Sequence, residues 1–318
     1  MNDTASTLVA TRESYGKALA ALGESRDDIV VLDADLSGST KTAAFAKNHP
    51  ERFFNMGVAE ANMIGTAAGL SFTGLTAFAS SFAMFAAGKA FEQIRQEVAL
   101  PNAKVRICAS HAGVTTGEDG ASHQVLEDLA LMRVLPNMTV IVPADGRETE
   151  LVIAAIADLD GPAYVRLSRM KTPIFLPEDY VFEVGKIPTL REGQDVTLAA
   201  TGVCVYQALL AGEILEKEGI DARILNVSTI SPIDSETLAT ASRETGHIVT
   251  IEEHQKNGGM GSAVAETLAE IAPCPMRRLG MDGRFGESGP GDELLEYFGL
   301  TAPSIARAAQ ELLGKGEA

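Results

Sequence analysis

The chain has no Lys/Arg-rich run and is short of positive charge: 26 lysines and arginines stand against 43 aspartates and glutamates, a formal net charge of −17 over 318 residues. That sign repels the phosphates of nucleic acid and of anionic lipid, so neither nucleic acid nor membrane is expected as a partner. Cysteine is scarce as well. Cys108, Cys204 and Cys274 lie far apart in apolar segments, with no CxxC or Cys/His ligand spacing, which fits a reducing cytoplasm and gives no metal site. The start, MNDTASTLVATRE, lacks the basic residues and apolar core of a signal peptide, so no export is expected. Ala61 to Gly88 lacks any charge and is long enough to span a bilayer. Gly65, Gly69, Gly74, Asn62 and several hydroxyl residues interrupt it, and a buried helix, turn and strand are expected there instead.

The length predicts two domains with separate cores. In the first half, the apolar or β-branched runs Ile29 to Leu36, Lys104 to Ser110, Thr139 to Asp145 and Ala163 to Arg169 read as buried parallel strands. Helical patterns at Arg12 to Ser25, Phe85 to Leu100 and Arg147 to Ala157 alternate with them, the rhythm of a doubly wound α/β sheet. Between Lys171 and Pro188 the periodicity fails amid prolines and acids. A second α/β pattern follows, with strands near Asp195 to Thr201, Ala222 to Ser228 and His247 to His254, and helices near Tyr206 to Glu218 and Ser262 to Ile271. The expected division is residues 1–177, a linker at 178–188, and a smaller domain at 189–318.

Polar residues gather just after the strands, where open α/β sheets bind ligands: Asp33 and Asp35, then His111, then Asp145. Glu60 is an isolated carboxylate in an uncharged, small-residue setting. Locally it reads first as an acid in the first turn of a helix, favoured by the macrodipole, and second as a carboxylate tuned by its environment. Phe82 and Phe85 share a face if their segment is helical, as core packing or as a stacking wall for a flat heterocycle. The loop SHAGVTTGEDGASHQVLED packs His111, Glu118, Asp119 and His123 among glycines, a composition suited to polar substrate recognition and lacking the HxxxH spacing of a metal site. Arg166 and Arg169 end a strand, and alternation puts them on opposite faces, so one of them at most enters a given site. An arginine fork suits a phosphate, and Arg12 is a second candidate. His247 and His254 read as surface or interface histidines, and Glu252, Glu253 and His254 as structural or interfacial.

Together these segments resemble the transketolase family over essentially the whole chain. GVAEANM is similar to the family's segment bearing its cofactor-activating glutamate, FASSFAMF to its pyrimidine-stacking segment and HAGVTTGEDGASHQ to its substrate loop, in the family's order. The resemblance implies two doubly wound α/β domains, a pyrimidine-binding domain of the thiamine-diphosphate fold and a smaller transketolase C-terminal domain. It implies that Glu60 meets the N1′ nitrogen of the aminopyrimidine of thiamine diphosphate, so that the thiazolium C2 can lose its proton and serve as an electron sink. Phe85, with Phe82 beside it, would stack on that ring, and Asp35 would lie near the thiazolium. Asp119 and His123 would recognise hydroxyls next to the cleaved bond, and Arg12, Ser39, His111 and Arg169 would clamp a sugar phosphate. The implied reaction is transfer of a two-carbon ketol unit from a ketose phosphate to an aldose or aldose phosphate, in pentose phosphate metabolism or in a specialised branched-sugar or sulfosugar pathway.

Two features depart from the family pattern. Its third aromatic is replaced by Gly88, leaving part of the pyrimidine pocket to be filled otherwise. More consequential, the chain contains PADG, GEDG and MDG but no Gly-Asp-Gly, the segment through which such enzymes hold the diphosphate by Mg²⁺ or Ca²⁺. The matching region begins within the first dozen residues, so the diphosphate domain is expected on a separate N-terminal subunit, with self-association through the pyrimidine-binding domain into an α2β2 heterotetramer. The β subunit of a 2-oxoacid dehydrogenase also lacks that domain but needs no phosphate clamp. A deoxyxylulose-phosphate synthase carries the diphosphate motif in one chain and lacks the histidine at position 111. A catalytically silent partner subunit is the third alternative, opposed by the retention of Glu60, Asp119 and His123.

Overall fold

The computed structural model describes residues 7–315, which form two compact units. The first runs to Ala112 and resumes at Leu131–Glu183; the second comprises Gly113–Ala130 and the chain from Val184 onward.

In the first unit, a short strand β1 (Leu8–Ala10) precedes β2 (Ile29–Asp33), β3 (Phe53–Asn55), β4 (Thr76–Phe82), β5 (Val105–Ser110), β6 (Thr139–Ile141), β7 (Ala163–Arg166) and β8 (Lys171–Pro173). Strands β2 to β7 build a parallel sheet in the order β6-β7-β5-β4-β2-β3. Every residue of β2, β4, β5, β6 and β7 is buried, as expected where helices cover both faces of a parallel sheet. The uncharged stretch folds as anticipated: a helix Glu60–Ser71, a tight turn, then β4. The aperiodic segment after β7 does contain one regular element, since β8 pairs antiparallel with β1 and ties the end of this region to its beginning. β3, with two of its three residues exposed, lies at the sheet edge and therefore lacks a legible apolar pattern.

Helices Thr11–Ser25 and Gly146–Ala157 pack on each other. A Cβ on Gly146 would stand 2.6 Å from Ser14 Oγ, so any larger residue would have to displace the serine hydroxyl. Asp145, fully buried, caps the second helix by accepting from the Glu148 N–H (2.9 Å) and also accepts from the N–H groups of Phe175 (3.0 Å) and Leu176 (2.9 Å). Asp145→Ala would orphan three backbone donors and is expected to cost on the order of 3 kcal/mol, read as a lowered denaturation midpoint in urea. An unchanged midpoint would show that these bonds do not hold the 173–176 segment in place.

In the second unit, β9 (Thr189–Arg191), β10 (Val196–Ala200), β11 (Ala222–Asn226), β12 (Thr229–Ser231), β13 (Ile248–Gln255) and β14 (Met276–Met281) follow in sequence. A five-stranded sheet has the order β14-β13-β10-β11-β9, parallel except for the antiparallel edge pair β11 and β9. Helices Cys204–Lys217, Ser235–Thr245, Met260–Ile271 and Ala302–Leu312 complete it, the first packed on the last. Among the described residues, no helix is long and apolar enough to cross a membrane.

Candidate active site

The loop after β2 is shaped by Asp33, whose buried carboxylate accepts from the Leu36 N–H (2.6 Å), Thr40 Oγ1 (2.7 Å) and Thr42 Oγ1 (2.9 Å). Burial pushes this carboxyl above the usual range, while the three hydrogen bonds oppose the shift. The loop presents Asp35 to solvent with a left-handed backbone (φ 65°), its carboxylate accepting from Asn55 Nδ2 at 2.8 Å. Ser39 lies four residues further along.

Arg12, the second residue of the helix Thr11–Ser25, donates through Nη1 to the carbonyl of Ser39 (2.9 Å) and to His111 Nε2 (3.1 Å). Arginine can only donate, so Nε2 is the acceptor and the imidazole carries its proton on Nδ1, facing Ser110 Oγ at 2.8 Å. Three of the four residues assigned to a phosphate clamp thus touch, with Ser39 engaged through its carbonyl rather than its hydroxyl. The fourth, Arg169, follows Ser168, whose N–H donates to Thr11 Oγ1 (2.7 Å) and whose carbonyl accepts from the Arg12 N–H (3.4 Å). The two arginines therefore leave chain segments that are bonded to each other. Arg166 is buried in β7.

His111 is held at φ 59°, a conformation disfavoured for a residue with a Cβ and found at sites where geometry is over-determined. Its ring lies over Phe82, centroids 3.8 Å apart and planes at 29°, and Phe82 in turn stacks with Phe85 at 6.2 Å and 17°. The two phenyl rings do meet, though not on one helix face. Phe82 ends β4, whereas Phe85 lies in a wide turn, Met84–Lys89, that opens a helical stretch over 84–99. Wide turns of this kind concentrate at functional sites. The Met84 methyl lies 3.2 Å from where a Cβ on Gly88 would be, which brings a thioether to the place of the missing third aromatic.

Glu60 opens the helix Glu60–Ser71, and its side chain is 2% exposed. It is therefore no surface acid. One carboxylate oxygen, Oε2, receives the ammonium of Lys89 at 2.6 Å. Lys89 was missed in the sequence, yet a signal existed: the uncharged run from Ala61 to Gly88 is bounded by these two charges, which pair. Behind the site, Tyr15 Oη bonds Ser80 Oγ at 2.6 Å, and burial pushes the Cys108 thiol up to about 12, so neither group is available for chemistry.

Asp119 and His123 belong to the second unit. Asp119 ends a short helical turn, Val114–Asp119, and is exposed; His123 is half-buried, with Nδ1 2.9 Å from Ser122 Oγ. The turn is fixed from below. Glu253 accepts from both the N–H (2.9 Å) and the hydroxyl (2.8 Å) of Thr115, and Gln124 donates to the carbonyls of Val114 (3.0 Å), Gly117 (3.1 Å) and Glu287 (2.8 Å). A Cβ on Gly113, at φ 80°, would overlap the Glu253 carboxylate at 2.2 Å. Glu252 accepts from the N–H groups of Met260 and Gly261 at the start of the helix Met260–Ile271, and His254 is wholly buried. The Glu-Glu-His run is thus structural, and His254 is an interior residue rather than a surface one. Among the described residues, no three His, Cys, Asp or Glu side chains converge as metal ligands.

The first unit is an open parallel α/β sheet that carries a buried carboxylate, a stack of rings and an arginine–histidine contact. Comparison with known proteins makes the class specific. Residues 8–174 match the family "Transketolase, pyrimidine binding domain", and residues 185–305 match "Transketolase, C-terminal domain". The chain belongs to the transketolase family, which generally works with thiamine diphosphate. It is similar to a solved structure described as a split gene transketolase, inactive beta4 tetramer, with 52% identity and a TM-score of 0.90, covering 97% of this chain and 100% of that one. It is 42% identical to the 6-deoxy-6-sulfo-D-fructose transketolase subunit SqwH of Clostridium sp. (strain MSTE9), over 95% of this chain and 94% of that protein. Human transketolase is 38% identical over 96% of this chain but only 49% of its own length, so the chain spans about half of that relative.

Proposed function

We propose that this chain is the C-terminal subunit of a two-chain transketolase, transferring a two-carbon ketol unit from a ketose phosphate to an aldose. The observation that carries the reading is the unbroken run of contacts from Arg12 through His111 and Phe82 to Phe85, in the turn where Lys89 meets Glu60. It supports an anion grip at one end and a heterocycle seat at the other. The similarity to a split gene transketolase over that protein's full chain supports a separate N-terminal partner. The partner would hold the diphosphate and its Mg²⁺ or Ca²⁺, and two copies of each chain would assemble. Three free cysteines suit a reducing cytoplasm.

The residues present fit the pyrimidine end of thiamine diphosphate. A ring nitrogen calls for a buried carboxylate, which Glu60 supplies, and a flat ring calls for a face, which Phe85 supplies on the outer side of Phe82. When bound, the cofactor provides the electron sink for breaking a carbon–carbon bond beside a carbonyl. Glu60 holds a proton at the pyrimidine nitrogen. Arg12 and Arg169 would grip the phosphate and so align the reacting carbons, with His111 holding the Arg12 guanidinium in place through Nε2. Asp119 and His123 are assigned to the sugar hydroxyls. Asp35, on the same connection after β2 as Ser39, would lie near the thiazolium of the bound cofactor.

Arg12→Ala and Arg169→Ala are each expected to raise KM for phosphorylated donors by roughly 10- to 100-fold, the worth of a charge-assisted hydrogen bond, with little change for unphosphorylated sugars. An unchanged KM for the phosphosugar in both variants would remove the clamp from this reading.

A further inference from the structure

Glu60 and Lys89 form a pair that the proposed chemistry does not use. The carboxylate is 2% exposed, the lysine side chain 52%, and Nζ lies 2.6 Å from Oε2. Lys89 closes the same wide turn, Met84–Lys89, that carries Phe85, so the ring wall and the ammonium belong to one structural element. Nothing charged lies between the two residues in sequence, and the helix Glu60–Ser71 packs against that turn. A buried carboxylate is costly unless paired, and here the partner is a cation whose flexible stem reaches in from solvent.

We propose that Lys89 is a built-in occupant of the pyrimidine seat: in the unloaded chain its ammonium takes the Glu60 oxygen that the cofactor's ring nitrogen will need, and loading exchanges one for the other. This rests on the reading of Glu60 as the pyrimidine carboxylate. Three features support an exchange. The ammonium and a ring nitrogen would draw on one carboxylate, whose Oε2 the ammonium already takes. The half-exposed lysine has water available when it leaves. An ammonium retained on Oε2 would keep the carboxylate from sharing a proton with the ring. Lys89 is then a positioning residue. It holds the carboxylate in place and compensated before the cofactor arrives, and it sets a threshold that the cofactor must overcome.

The test is equilibrium binding to the assembled two-chain complex, by calorimetry, with thiamine diphosphate and with thiamine, which lacks the diphosphate and reports the pyrimidine seat alone. Lys89→Met is expected to tighten both by roughly fivefold, the worth of a partly exposed ion pair. Lys89→Arg, which keeps a cation on Glu60, is expected to restore weaker binding, and circular dichroism confirms that both variants are folded. Glu60→Gln separates the two levels of the argument. If it leaves both affinities unchanged, Glu60 is not the pyrimidine carboxylate and the functional reading falls. If it weakens them while Lys89→Met binds as the wild type or more weakly, the occupant proposal alone is overturned.

Discussion

Glu60→Gln is expected to lower kcat for the proposed ketol transfer by about 10²- to 10⁴-fold, the contribution of a positioned acid–base group, in a complex that still assembles. Glutamine keeps the shape and hydrogen-bonding reach of the side chain but cannot hold and release a proton at a ring nitrogen. The substitution is also mild for the fold. It removes a charge from a nearly sealed position, and the lysine it leaves behind is half exposed and can turn to water. A fall in kcat with an intact circular dichroism spectrum therefore reports chemistry rather than unfolding. The measurement is steady-state transfer between two sugar phosphates at saturating cofactor. A variant retaining more than about a tenth of wild-type kcat would lie outside the range for a proton-handling group and would move the activating role away from Glu60.

Much of the architecture was legible because buried parallel strands carry apolar residues on both faces. The runs at 29–36, 104–110, 139–145 and 163–169 each contain an observed strand, shorter at its end where the chain turns toward the site. The exposed or half-exposed edges were silent: β3 and β14 expose part of their length, and Met-Arg-Arg-Leu-Gly-Met has no apolar alternation to read. The helical stretch 84–99 was expected as a regular helix, but wide turns interrupt it. Local spacing could not reveal them, because they set i to i+5 bonds such as Leu100 N–H to Arg95 O (3.0 Å) against the usual period.

The site was legible as residue types and illegible as contacts. Arg12, Ser39 and His111 meet although 99 positions separate the first from the last, and only the sheet order can bring them together. The left-handed backbone of His111 has no usable sequence marker, since even residues enriched at positive φ, histidine among them, adopt it in a small minority of cases. Glu60 illustrates the same limit. Its local pattern favours an ordinary first-turn acid, and its burial is set by the helix packing on β4 and on the 84–99 stretch. Glu253 was assigned a structural role from its place after a strand. Its particular task, holding Thr115 and hence the turn ending in Asp119, comes from a bond spanning 138 positions.

The second large effect follows from what the sequence does not contain. A diphosphate needs a divalent cation and oxygen ligands, the chain has no Gly-Asp-Gly segment, and no carboxylate and histidine cluster among the described residues could substitute for it. On the proposed reading, Glu60 and Phe85 seat the pyrimidine end of the cofactor and the diphosphate end falls to the partner. On the two-chain reading, which the similarity to a split gene transketolase over that protein's full chain supports, ketol transfer is expected to be all-or-none with respect to a second polypeptide, whatever the supply of metal and cofactor. The direct measurement mixes the purified chain with a candidate N-terminal subunit bearing a Gly-Asp-Gly segment, in the presence of Mg²⁺ and thiamine diphosphate. Each chain alone should show only background transfer between phosphosugars, and the mixture sustained turnover that Glu60→Gln cuts by at least about 10²-fold. Turnover by this chain on its own, or none by the mixture with any phosphosugar donor, would contradict the account.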